Sequence, residues 1–313
     1  MDVRAKDYLV VDDRLYLAVV SDNIESGRVL SWLRYIKDTH GMHKLDTVDA
    51  DHFIREHYPQ FIFHSKYADI DLHGIPEQDI QHVLKPQQAV NHLLALAEPD
   101  SKQQDAIYLL QLLIDNGISQ QCLGLTGSLL LNAQTARSDI DLLVYGRDVF
   151  FHTRNVMADL IKSGELKPLA QKDWLEAYQR RDCSLDFETY HWHEQRKLNK
   201  CIAGSSKVDV SMIPGRDELP ATNELYSKMG HKTLNATVVN DQYAYDFPAR
   251  YVIDHEHIDE VVVYTATYTG QAVKGERVEA SGVLEQSASG RQRLVVGTSR
   301  EAQGEYLKVI QSS

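Results

Sequence analysis

Residues 123–146, LGLTGSLLLNAQTARSDIDLLVYG, hold the arrangement in the chain that most directly names a chemistry. Asp139 and Asp141 stand two apart, and if the second apolar run is a strand, alternation puts both on one face. Side-by-side carboxylates repel, so a protein that keeps them together usually holds a cation between them. Ile140, Leu142, Leu143 and Val144 supply what a half-buried or buried strand needs, which would fix the acids on a rigid element. Upstream, Gly127 and Ser128 follow a short apolar run at 122–126. A glycine there lets the backbone approach a ligand closely, and the serine offers a hydroxyl and an N–H to a phosphate. Arg137 and Ser138, just before the acids, either touch phosphate or shape the loop.

A third acid follows later. Residues 207–213, KVDVSMI, read as a strand closed by Pro214 and Gly215, with Asp209 alternating against Val208 and Val210 and pointing away from their core. A solvent-facing acid would show the same pattern, but beside the first two acids a carboxylate triad is the favoured reading. Lys207 is ambiguous in the same way as Arg137.

Other groups compete for attention. Asp69 and Asp71 form a second D-x-D, but no Gly-Ser precedes them at a suitable spacing and a loop is expected at 73–76, so turn and capping roles are favoured. His191 and His193 with Glu194 resemble a metal pair if they lie on a strand. With no third ligand nearby, packing is the better reading. Arg196, Lys197 and Lys200 either neutralise a triphosphate or an RNA phosphate, or form a solvated helix face.

The elements around these residues are readable in outline. The first 36 residues read as β structure with a polar hairpin turn at 12–14; 29–36 fits a strand or a short helix. Helices are expected at 87–97 and from Ser101, where Ser101 and Gln104 suggest a capping box. Another is expected at 148–163, capped by Asp148, ended by Gly164, with Val149, Val156, Leu160 and Ile161 inward. From Lys232 onward, five or six short strands with turns at Lys274-Gly275 and Ser289-Gly290 suggest a small barrel or sandwich, an OB-like barrel being one candidate. The expected organisation is a β-rich N-terminal region (1–100), a catalytic domain (101–228) and a C-terminal β domain (229–313).

Composition sets bounds. The chain has 313 residues, 43% of them hydrophobic, enough for more than one core. No apolar run approaches the ~20 residues of a membrane span and the N-terminus is charged, so a soluble cytoplasmic protein without membrane partners is expected. The three cysteines form no C-x-x-C, against a disulfide framework or a cysteine zinc site. A formal charge of −12 weighs against non-specific coating of nucleic acid while leaving room for a local basic groove.

Gly127-Ser128, then Asp139-x-Asp141, then an acid on a later strand resembles the signature of the DNA polymerase beta-like nucleotidyltransferase superfamily. More narrowly, GLTGSLLLNAQTARSDIDLLVYG with YHWHEQRK and KVDVSMIP is similar to a group of predicted prokaryotic nucleotidyltransferases. The resemblance covers roughly 105–215. It implies an α+β fold with a mixed sheet and flanking helices, a nucleoside triphosphate at the Gly-Ser turn, and Mg²⁺, or Mn²⁺ in its place, on Asp139, Asp141 and Asp209. Ser128, Arg137, Ser138, Lys207 and Arg196 are the candidate phosphate contacts. The expected reaction moves a nucleoside monophosphate to a hydroxyl. RNA is slightly favoured as acceptor, with a partner protein as the alternative and a non-catalytic nucleotide- or RNA-binding protein as a third reading. No base-reading segment stands out, so the nucleotide is open.

Overall fold

Apolar alternation in the first residues builds a hairpin: β1 (Tyr8–Val11) runs antiparallel to β2 (Leu15–Glu25). Asp12 and Asp13 make the turn at φ 53° and 50°, the left-handed region that Asp tolerates better than most residues. This is a computed structural model that describes residues 1–181, 183–219, 224–299 and 302–310. The last three residues of the expected C-terminal domain lie outside the described residues.

The ambiguous run near residue 30 is a strand, β3 (Arg28–Asp38), followed by β4 (Gly41–Lys44), α1 (Thr47–His57), β5 (Ile62–Ser65), β6 (Ile70–Pro76) and β7 (His82–Leu84). The sheet runs β5-β6-β3-β2-β1-β7, with β4 beside β3. Asp46 caps α1 by accepting the Asp49 N–H at 2.8 Å, and the helix lays Ala50 and Ile54 into a core of Leu9, Leu17, Leu33 and Ile75. Residues 73–76 are therefore strand, not loop. Gly74 is there for packing: a β-carbon on it would lie 2.6 Å from Cβ of Phe63 on the adjoining strand β5.

Two helices follow, α2 (Pro86–Leu94) and α3 (Ser101–Asp115). The α3 cap lies one residue earlier than the sequence reading. Asp100 accepts the Gln103 N–H at 2.8 Å, and the Gln103 side chain accepts the Asp100 N–H at 2.9 Å, because carboxylate and amide satisfy both orphan N–H groups. Next come β8 (Leu123–Leu125), the short α4 (Gly127–Leu130), β9 (Ile140–Tyr145), α5 (Arg147–Ser163), α6 (Gln171–Arg181), α7 (Phe187–Arg196), β10 (Lys200–Ala203) and β11 (Ser206–Ile213). β8 to β11 form a sheet in the order β10-β11-β9-β8.

Asp148 does not cap α5. The N-cap is Gly146, and the Arg147 N–H reaches the Glu218 carboxylate at 3.1 and 3.2 Å. The buried stripe of α5 is Phe150, Thr153, Val156, Met157 and Leu160, with Arg147 buried against Asp246. Val149 and Ile161 lie beside the stripe, half-buried.

The C-terminal strands are β12 (Tyr226–Tyr243), β13 (Ala249–Asp254), β14 (Glu260–Val263), β15 (Arg277–Ser287), β16 (Gln292–Val296) and β17 (Tyr306–Val309). β12 pairs antiparallel with both β13 and β15; β13 pairs with β14, β14 runs parallel to β16, and β16 returns to β15. The path of pairings thus comes back to β12, and β17 adds to β15. Val238, Tyr251, Val263, Val278 and Leu294 fill its core together with Tyr190 of α7. The fold is thus α+β, with three sheets and, among the described residues, seven α-helices.

Two compact units result, Met1–Val144 with Gly204–Val208, and Tyr145–Ala203 with Asp209–Ser313. Among the described residues no helix is long and apolar enough to cross a membrane.

Candidate functional site

In the first unit, β8 and β9 pair antiparallel with Leu123 opposite Val144, Gly124 opposite Leu143 and Leu125 opposite Leu142. Leu142, Leu143 and Val144 are all fully buried, each worth about 1.5–3 kcal/mol of burial, so the strand is firmly held. One step further along the ladder, the Thr126 N–H donates to the Asp141 carbonyl at 3.1 Å. That step sets Gly127 against the Asp141 side chain. Gly127 has φ +64°, and a β-carbon on it would lie 2.5 Å from Asp141 Oδ2. No other residue type fits there without displacing the carboxylate.

Asp139 immediately precedes β9 and is partly buried, as is Asp141. Ser128 is buried in α4. Ser138 shapes the loop: its Oγ accepts the Thr135 N–H at 2.9 Å and its N–H donates to the Thr135 carbonyl at 3.0 Å. The Arg137 N–H donates to Thr135 Oγ1 at 3.3 Å, and the residue is exposed. Lys207 lies on the half-exposed face of β11, which alternates with buried Val208, Val210 and Met212. The structure therefore brings Gly127 and Asp141 into direct apposition and places Ser128, Asp139, Arg137, Ser138 and Lys207 in the same unit.

The sequence reading missed what the N-terminal sheet contributes here. Lys6, in the left-handed region at φ 74°, accepts the Thr126 hydroxyl on its carbonyl at 3.0 Å, next to the Gly127 turn. Tyr8 and Tyr35 are buried with ring centroids 6.4 Å apart. Burial raises both hydroxyl pKa values, and the Asp141 charge raises them further. Both tyrosines read from sequence as ordinary strand core, and no local spacing signals their nearness to an acid more than 100 residues away.

Asp209 and Arg196 fall in the second unit. Asp209 shares the half-exposed face of β11 with Lys207 and Ser211. Lys200 Nζ is 3.8 Å from Asp209 Oδ2 and 2.7 Å from Glu194 Oε2. Glu194 is fully enclosed and also takes Lys197 Nζ at 2.5 Å, while Lys197 donates to the Thr267 carbonyl at 2.7 Å. Burial alone would raise the Glu194 carboxyl pKa, but Lys197, Lys200 and Arg181 together hold it below the usual range. Burial lowers Lys197 to about 8, with Glu194 opposing the shift.

The reading of the basic cluster as a solvated helix face does not hold. Lys197 is buried, so the trio is not a solvated face, and both lysines are bound to Glu194. Arg196 pairs with Glu276 and lies 4.5 Å over the Trp192 ring. The two histidines are on a helix, not a strand, so a spacing of two turns them to different sides. His193 donates from Nδ1 to the Gln271 carbonyl at 3.1 Å and accepts the Val309 N–H on Nε2 at 3.3 Å, a neutral packing role. His191 stacks on Phe187. Asp71 makes surface pairs with His64 at 3.1 Å and Arg55 at 3.3 Å.

Among the described residues no group of three or more His, Cys, Asp or Glu side chains gathers as a metal site. The donors at β9 nevertheless suit Mg²⁺, which favours hard carboxylate oxygens and usually binds through one or two of them plus substrate phosphates and water. The Asp141 carboxylate packs directly against the Gly127 backbone, which brings that turn's N–H groups and the acid into one place.

No protein-family model matches the chain, and no solved structure matches it. The chain is similar to uncharacterized protein MJ1086 of Methanocaldococcus jannaschii, 29% identical over 338 aligned positions covering 99% of each chain. The likeness runs end to end, and that protein's name carries no activity.

Proposed function

We propose that the chain is a metal-dependent nucleotidyltransferase that moves a nucleoside monophosphate from a nucleoside triphosphate to a hydroxyl acceptor. The observation that carries this reading is the apposition of Gly127 and Asp141, a carboxylate on a buried strand packed against a glycine turn. Asp139, Asp141 and Asp209 are the proposed carboxylate ligands. The Ser128 hydroxyl and backbone hold the triphosphate at the Gly127 turn, with Arg137 and Lys207 as candidate phosphate contacts. Arg196, engaged by Glu276 and Trp192, is not kept among them.

In the reaction the acceptor oxygen bonds to the α-phosphorus, the α–β phosphoanhydride bond breaks, pyrophosphate leaves, and the acceptor's proton passes to solvent. Bound Mg²⁺ supplies charge that lowers the acceptor's pKa and stabilises the leaving pyrophosphate. The chain's own contribution is to fix the carboxylates and the phosphates in place, since positioning and charge neutralisation carry the rate of phosphoryl-group transfer.

RNA is the favoured acceptor. The closed circuit of pairings β12-β13-β14-β16-β15 with one parallel pair supports an OB-like barrel, a fold that binds oligonucleotides. The formal charge of −12 favours a partner protein as the second reading. Incubation with α-labelled triphosphates, Mg²⁺ and either total RNA or cell lysate separates the two by where the label appears. Absence of label on both, with tight metal-independent RNA binding, would instead mean a non-catalytic binding protein.

A further inference from the structure

Asp209 does not stand alone in its unit. Lys200, on β10, has its side chain only 10% exposed and its ammonium 2.7 Å from buried Glu194 and 3.8 Å from Asp209. Glu194 cannot release it cheaply, because breaking one partner out of a buried ion pair leaves an uncompensated charge. Nor can Glu194 absorb all the positive charge around it. It is shared by Lys197 at 2.5 Å and Lys200 at 2.7 Å, and the charge of the partly buried Arg181 acts on it as well. Of these cations, Lys200 is the one that reaches both carboxylates, at 2.7 Å from Glu194 and 3.8 Å from Asp209.

We propose that Lys200 is a positioning residue and resident counter-cation of the acid site. It ties Asp209 to the Glu194–Lys197 pair and opposes the capture of a divalent ion before substrate arrives. The inference rests on the reading of Asp209 as a metal ligand. Its consequence concerns the substrate: the chain takes the metal–triphosphate complex as a unit, because the triphosphate's own negative charge offsets the repulsion that Lys200 exerts on a bare divalent ion. A fixed ammonium about 4 Å from a carboxylate competes with a metal at that carboxylate by ordinary charge repulsion, which is strong where water is partly excluded.

The test is Mn²⁺ binding by electron paramagnetic resonance, with and without a non-hydrolysable triphosphate, on full-length wild type, Lys200→Met, Lys200→Arg, Asp209→Asn and Asp141→Asn. Lys200→Met should bind Mn²⁺ about tenfold more tightly than wild type when nucleotide is absent. Lys200→Arg should behave as wild type, and adding the triphosphate should tighten Mn²⁺ binding more in wild type than in Lys200→Met. In the Asp209→Asn background, Lys200→Met should make no difference. Equal or weaker Mn²⁺ binding by Lys200→Met overturns the inference. If that variant does not fold, Lys200→Gln, which keeps a polar end for Glu194, is read by the same criterion. Should neither Asp141→Asn nor Asp209→Asn weaken Mn²⁺ binding, the acid-site reading itself is wrong. If both weaken it while the Lys200 variants leave it unchanged, only the role of Lys200 is lost.

Discussion

A β-carbon placed on Gly127 would come within 2.5 Å of Asp141 Oδ2, so the residue opening the α4 turn and the acid of β9 are fitted to each other. Gly127→Ala therefore carries two costs, a left-handed φ worth about 1–2 kcal/mol and a displaced carboxylate. Gly117, at φ +88° with open space around it, carries only the first. Urea unfolding should show a loss of about 1–2 kcal/mol for Gly117→Ala and at least as large a loss for Gly127→Ala. Transfer activity should collapse only in Gly127→Ala; equal activity in the two variants would contradict the fit.

The D-x-D on the N-terminal sheet gives an internal control. Asp71 serves exposed ion pairs with His64 and Arg55, and such pairs contribute about 0–1 kcal/mol. Asp71→Ala should leave both stability and transfer near wild type, whereas Asp141→Ala should abolish transfer with the circular dichroism spectrum unchanged. A comparable loss of transfer in both would point away from β9 as the site.

Glu194 is predicted to be the most sensitive charged position in the second unit. Glu194→Gln leaves Lys197 buried with a weaker partner and should cost about 3–5 kcal/mol in denaturant unfolding. Replacing all three, Glu194→Leu with Lys197→Met and Lys200→Met, should cost no more than the single change, because neither lysine is then left without its carboxylate. A triple variant far less stable than the single would show that the buried ion group itself is net stabilising.

Two buried histidines set an acid-side pH dependence. Burial lowers His73 to about 4 and His193 to about 3 from an ordinary value of 6.5. Unfolded, each takes up a proton as pH falls through about 6.5; folded, each resists until its own lower value. The unfolded chain thus binds more protons in that window, and stability must fall as pH drops from 6.5 toward 4, by up to about 1.4 kcal/mol per pH unit per histidine. His193→Gln should reduce the slope of unfolding free energy between pH 6.5 and 5. An unchanged slope would show that His193 does not titrate differently in the two states.

Much of the framework is legible in the sequence because local rules and the fold agree. The hairpin through Asp12 and Asp13 and the strands around Lys274-Gly275 and Ser289-Gly290 carry alternation and turn residues that suffice by themselves. β12 is longer than its apolar core segment, because residues 227–231 are exposed and show no alternation, yet pair with β15. His191 and His193 misled because a spacing of two signals a shared face only on a strand, and the segment is a helix started by the Asp186 cap, whose side chain accepts the Thr189 N–H. The burial of Lys197 and the nearness of Tyr8 and Tyr35 to Asp141 depend on contacts distant in sequence, which no local pattern encodes.

The central claim is that Asp141 serves a transfer that cleaves between the α- and β-phosphates. The most direct measurement supplies Mg²⁺, a triphosphate labelled at the α-phosphate and the acceptor, and follows both label incorporation and pyrophosphate. Wild type should incorporate label and release pyrophosphate in equal amounts, and Asp141→Asn should do neither. Release of inorganic phosphate with a labelled diphosphate left in solution, or full incorporation by Asp141→Asn, would contradict it.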